Sequence, residues 1–265
     1  MTSPLEKDNM PPSVTKPISN SMENVVVVRN LLVRFEDFTA VNDVSFTVDA
    51  GEVRGVLGGN GAGKSTTLRT LGGVIRPTSG NVTIGGESVE TLQGGNKARA
   101  LTGYCPDVGG LIAGATPTEH VRLLASLRKD KSLYKQGLEE IERFNLSEFK
   151  NSSVSGFSHG MMRRLSVLLA ALSAKSLLIL DEPYDGVDPL GVEIINNVIS
   201  EKRAAGVAVI VSTHLQNLLV EVSDSINIMS KGELLNILPS AELAGSEGME
   251  KYSKMLVAHQ SGSLV

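Results

Sequence analysis

The stretch GGNGAGKST, Gly58 to Thr66, restricts what this chain can fold into more than any other. Gly58 to Ser65 fits the pattern G-x-x-x-x-G-K-[ST] at every fixed position. It is flanked by a buried-strand pattern, Glu52 to Leu57, and by a helix pattern from Ser65 to about Gly72. Strand, glycine-rich loop and helix in that order make a phosphate cradle. Glycines let successive backbone N–H groups turn inward on phosphate oxygens, and the helix N-terminus adds partial positive charge. Gly58, Gly59, Asn60, Gly61, Ala62 and Gly63 form the candidate cradle, and Thr66 continues it into the helix. Lys64 reaches the β- and γ-phosphates of a nucleotide, and Ser65 can ligate Mg²⁺. The competing reading is a glycine-rich turn that carries a lysine by chance.

A second apolar run, SLLILDEP, reads as a strand buried on both faces in a parallel sheet, and VAVIVSTH, Val207 to His214, reads as another. A carboxylate at the tip of such a strand, Asp181, can hold Mg²⁺ beside the phosphate loop. Glu182 follows it and can take a proton from an attacking water. The alternative for this pair is an acidic cap ahead of Pro183.

The remaining pattern is an α/β core with a helical insertion. VSFTVDAGEV alternates as a half-buried strand, and PTSGNVTIGG reads as turn, strand and turn. From about 112 to 173 the character is helical. Thr116 and Glu119 form a capping box there, with Pro117 at the first helical position. The expected organisation is a mobile tail over 1–23, a domain over 24–236 and a short tail over 237–265. The net charge of −4 and the lack of a long basic run speak against a nucleic-acid partner. The single cysteine, Cys105, excludes an intramolecular disulfide and reads as loop packing. No uninterrupted run of 18 apolar residues is present, so any membrane role is expected to come through a partner.

The stretch FSHGMMRRLS, Phe157 to Ser166, is not explained by the phosphate loop alone. Taken with the other motifs, it gives the chain its resemblance to the ATP-binding subunits of ABC transporters, from about Val25 to Leu235. GGNGAGKST resembles their Walker A loop, FSHGM their LSGGQ signature, LILDEP their Walker B strand, DGVDP (Asp185 to Pro189) their D-loop and VSTH their switch-histidine strand. The resemblance implies a P-loop fold of the ABC type, with a mixed β core sheet flanked by helices and an inserted helical subdomain over about 112–173. It also implies ATP with Mg²⁺, a second ATP-binding subunit packed head to tail, and a separate transmembrane permease. The wording is most like exporters of drugs, lipids or polysaccharides, at the cytoplasmic face of the membrane. In such a pair Ser158 and the Gly160 backbone meet the γ-phosphate held by the other copy, with Asp188 nearby in the D-loop. His214 hydrogen-bonds the γ-phosphate, and Phe35 stacks on adenine. Ser158 also reads as a plain helix N-cap, Phe35 as core packing and His214 as an ordinary loop histidine.

Departures from the family pattern mark where expectations loosen. His159 replaces a signature glycine and Met161 the signature glutamine. Met161, Met162, Arg163 and Arg164 read as a mixture of core and solvated faces. In GYCPDVGGL, Asp107 stands where the family has a glutamine that touches Mg²⁺ and faces the membrane subunit. A carboxylate there can ligate Mg²⁺, but it repels the γ-phosphate when the metal is absent. Asp107 equally reads as a turn residue. Two rival functions are a soluble ABC-type ATPase acting on DNA or ribosomes and an importer ATPase. A P-loop kinase or GTPase has no use for FSHGM or His214.

Overall fold

A computed structural model describes residues 24–261. The tail expected over 1–23 lies outside these residues. The order of the sheets explains how separate motifs meet. Six strands pair in the order β10-β9-β3-β8-β7-β6: β3 (Val53–Leu57), β6 (Thr102–Cys105), β7 (Leu177–Asp181), β8 (Ala208–Ser212), β9 (Ser225–Ser230) and β10 (Glu233–Pro239). Pairing is parallel except between β9 and β10. The carboxyl ends of β3, β8, β7 and β6 therefore lie side by side, the edge where open α/β sheets bind ligands.

The continuous apolar runs are buried on both faces, as a parallel sheet requires. Every residue of β3, β7 and β8 is buried. Leu178 and Leu180 of β7 join one core with Val209 and Val211 of β8, while Leu177 and Ile179 join a second core with Ala208 and Ile210. The second core fills the space against a four-stranded antiparallel sheet of order β2-β1-β4-β5: β1 (Asn24–Phe35), β2 (Phe38–Asp49), β4 (Ser79–Ile84) and β5 (Glu87–Ser88). Val26, Val28, Leu31 and Val33 of β1 supply its apolar face.

Helix α1 (Lys64–Leu71) follows the loop after β3, and α2 (Leu92–Leu101) precedes β6. The sequence pattern had not marked α2, whose Gly94-Gly95 pair lowers its helix propensity. The inserted helical region contains α3 (Pro117–Arg128), α4 (Ser132–Arg143) and α5 (His159–Ser173). Both halves of the Thr116–Glu119 capping box are formed, with Pro117 in the first turn. Helix α6 (Pro189–Ala204) and α7 (Gln216–Val222) complete the layers around the six-stranded sheet.

Within the segment read as a short tail over 237–265, the described residues are folded onto the body. Leu238 at the end of β10 and Leu243 are buried, and α8 (Gly245–Gln260) packs Tyr252 and Met255 against the main core. Apolar residues here are sparse and strongly mixed with polar ones, which is why periodicity did not reveal the helix. Cys105 is fully buried at the end of β6 and not in a loop, with its Sγ 3.3 Å from Ser166 Oγ on α5.

Candidate active site

The phosphate loop leaves β3 and enters α1 through Gly63, whose φ of 95° lies in a region that a side chain would strain. Residues 59–66 line a cavity of about 410 Å³ together with Asp107, Glu182, Asp185 and His214. Four strand ends thus bring Lys64, Ser65, Glu182, His214 and Asp107, all named as candidates from the sequence, to one space.

Lys64 is buried at the base of the loop. Its ammonium donates to the Gly58 carbonyl at 2.8 Å and lies 3.5 Å from Glu182 Oε1. Ser65 donates its hydroxyl to Asp181 Oδ1 at 3.2 Å, and Ser212 on β8 donates to the same oxygen at 2.6 Å. Asp181 is fully buried, and among the described residues its Oδ2 has no hydrogen-bond partner. Burial pushes the Asp181 carboxyl above its ordinary range. The Ser212 and Ser65 hydrogen bonds oppose this, while the charges of Asp107 and Glu182 add to it. A buried carboxylate with one oxygen unpartnered, next to a serine hydroxyl, is a hard oxygen donor set of the kind Mg²⁺ takes. Among the described residues no cluster of three or more His, Cys, Asp or Glu could hold a metal by itself. Mg²⁺ is normally held by one or two carboxylates plus substrate phosphates, so the residues present fit that ion.

Glu182 has a φ of 49°, a left-handed conformation that costs a non-glycine residue about 1–2 kcal/mol. Its N–H donates to the Ser212 carbonyl at 3.0 Å, which fixes this turn against β8. Oε2 accepts from the His214 backbone N–H at 3.3 Å and lies 3.1 Å from His214 Nδ1. The carboxylate is thus aimed into the cavity between Lys64 and His214 by a strained backbone, a recurrent feature of functional sites.

The start of α5 lies elsewhere. Ser158 is its N-cap, accepting from the Met161 N–H at 3.2 Å, and Ser158 itself is exposed. Gly160 packs so tightly on the 182–188 loop that a Cβ there would sit 2.7 Å from the Gly186 carbonyl oxygen. His159 Nε2 is 3.2 Å from Asp185 Oδ2, consistent with a spacing and docking role for that histidine. Asp188 caps α6 by accepting from Gly191 N–H at 2.9 Å. Ser158, Gly160, Asp188 and Phe35 do not line the cavity of their own chain. Phe35, at the end of β1, is 46% exposed, which removes the core-packing reading for it.

Three participants were not singled out from sequence. Ser212 shares Asp181 with Ser65, and Asp185 lines the cavity. Arg163, read with its neighbours as part core and part solvated face, is 4% exposed, and Arg164 is buried too, whereas Met162 faces solvent. Helical spacing carried a signal: 163, 167, 170 and 171 share a face, and Val167, Ala170 and Ala171 are buried.

Comparisons with known proteins bear on the chain as a whole. The profile of the ABC transporter family matches residues 41–185. The lipopolysaccharide export system ATP-binding protein LptB of Haemophilus influenzae is 30% identical over 80% of this chain and 89% of its own. A solved ATP-binding subunit of an ABC transporter superposes with a TM-score of 0.80 at 28% identity, over 87% of this chain and 99% of that one. A dimeric bacterial ABC transporter cassette shares the fold, with a TM-score of 0.76 at 22% identity over 81% and 98% of the two chains.

Proposed function

The chain belongs to the ABC transporter family as an ATPase subunit, and from that premise we propose that it powers an exporter by dimerising on ATP. The observation that carries this reading is the meeting of Lys64, Glu182 and His214 on one phosphate cavity while Ser158 and Gly160 stay outside it. A helix N-terminus with a small hydroxyl is a good anion site. Exposed at the start of α5, it serves phosphates held by a second cassette. The dimeric cassette of the same fold supports that arrangement.

In this reading ATP phosphates enter the cradle of residues 58–65, and Lys64 neutralises the β- and γ-phosphates. Ser65 and Asp181 would hold Mg²⁺, whose charge would draw electrons from the transferred phosphoryl group. Glu182 accepts the proton of the attacking water, and His214, beside its Oε2, keeps that carboxylate oriented and reaches the γ-phosphate. Ser158 and the N–H groups at the start of α5 in the second cassette stabilise the same charge from the opposite side.

Export is supported by the likeness to a lipopolysaccharide export ATPase. None of the described helices is long and apolar enough to cross a membrane, and we assign the membrane passage to a separate permease. A groove of about 340 Å³ lined by Pro106, Val108, Leu111, Val154 and Met162 shares Asp107 with the phosphate cavity. It is the surface through which closure on ATP would move the permease at the cytoplasmic face. Purification from detergent-solubilised membranes tests this reading. It requires a multi-spanning membrane protein that stays bound through gel filtration and changes the ATPase rate. ATPase activity that responds only to DNA or ribosomes would contradict it.

A further inference from the structure

Asp107 stands at the wall between the phosphate cavity and the apolar groove, and its surroundings are unusual for an acidic residue next to phosphates. Its Oδ1 lies 3.2 Å from Nη2 of the buried Arg163, which also donates to the Asp107 carbonyl at 2.7 Å. Nη1 of the same guanidinium donates to the Pro106 carbonyl at 2.8 Å and reaches the Asp181 carbonyl at 3.4 Å. Among the described residues its Nε has no partner. Arg163 therefore joins three pieces: the turn after β6, the tip of β7, and α5, the helix that Ser158 caps.

Charge makes this geometry consequential. Asp107, Glu182 and Asp185 line a space that must accept several phosphate charges, and the buried Asp181 lies next to it against Ser65. Among the described residues Lys64 and His214 are the only basic side chains lining that space. A buried guanidinium is itself costly unless paired, and among the described residues Asp107 is the one carboxylate that its ion pairing reaches. We propose that Arg163 is a positioning residue for the nucleotide site, holding Asp107 at the cavity rim and neutralising it so that a carboxylate can stand beside ATP without repelling it. The proposal rests on the ATP-binding reading above and adds the Arg163–Asp107 pairing, at a position where the resemblance leads one to expect a neutral glutamine.

Titration of ATP into the full chain without Mg²⁺ isolates this repulsion. Arg163→Gln should weaken Mg²⁺-free ATP binding by about tenfold, the scale of one partly screened like-charge interaction. Adding Asp107→Asn to Arg163→Gln should return the affinity to within about threefold of the parent, because contacting residues are non-additive. A double variant that binds as weakly as Arg163→Gln would overturn the proposal and leave Arg163 as packing alone. Asp107→Asn in the parent chain gives a second reading that does not depend on the fold of the Arg163 variant. It should leave Mg²⁺-free ATP affinity equal or tighter, and weaker binding would also overturn the proposal. A parent chain that binds no ATP, with or without Mg²⁺, would instead remove the underlying assignment of the site.

Discussion

Lys64 and Glu182 face each other across the phosphate cavity, with the ammonium nitrogen 3.5 Å from Glu182 Oε1. In the proposed mechanism the cation that meets the phosphates and the base that meets the water are thus each other's neighbours. On that proposal a γ-phosphate settling on Lys64 would compete with Glu182 for that charge and free the carboxylate to accept a proton, coupling binding to activation of the base through one contact.

Lys64→Ala removes that cation. Hydrogen bonds to charged groups are worth about 1.5–3 kcal/mol, so ATP affinity should fall between tenfold and a hundredfold, as read by calorimetry. ATP hydrolysis close to that of the parent would contradict the site assignment.

Asp181→Asn separates metal from nucleotide. Because burial holds this carboxyl above its unfolded range, the folded state binds its proton more tightly than the unfolded state does. Its contribution to stability is present below the unfolded value and is lost as pH rises through the folded value, so at pH 7 the charged group opposes folding. Asp181→Asn should therefore raise the melting temperature of the Mg²⁺-free protein at pH 7. It should also remove most of the further rise given by Mg²⁺ with ATP. An unchanged Mg²⁺ response would take Asp181 out of the metal site.

Cys105 is fully buried, and burial pushes its thiol up, against hydrogen bonding by Ser166. Less thiolate forms at pH 8 than in an exposed cysteine, and reagents cannot reach it. Iodoacetamide labelling should be at least tenfold slower in the native protein than in denaturant, by mass spectrometry, given how thiolate content and access set the rate. Equal rates would mean that β6 opens readily from β7.

What was legible from sequence followed from strong local constraints. The phosphate loop demands glycines at fixed places, and the continuous apolar runs of β7 and β8 demand burial on both faces. Those strands are formed as read, and Asp181, Glu182 and His214 stand at or just beyond their carboxyl ends. Long-range pairing was less legible. The sheet that joins β1 to β4 depends on contacts between distant segments, and no residue in β1 names its partner. Arg163 was hidden for a different reason: an arginine usually seeks solvent, and only the three-dimensional meeting of Pro106, Asp107 and Asp181 provides acceptors that make its burial tolerable. The helix α8 was hidden by its thin apolar face.

The central claim is that the N-terminus of α5 closes over ATP held by another copy, and the size of the protein under trapping conditions tests it most directly. Glu182→Gln keeps the shape of the side chain but cannot accept the proton of water, a loss of about 10²–10⁴ in rate. ATP then persists, and the ATP-bound dimer accumulates by mass action. With Mg²⁺ and ATP, Glu182→Gln should sediment as a dimer. Combined with Ser158→Arg, whose bulk occupies the shared interface, it should remain a monomer under the same conditions. A dimer that forms equally well with Ser158→Arg would contradict the claim.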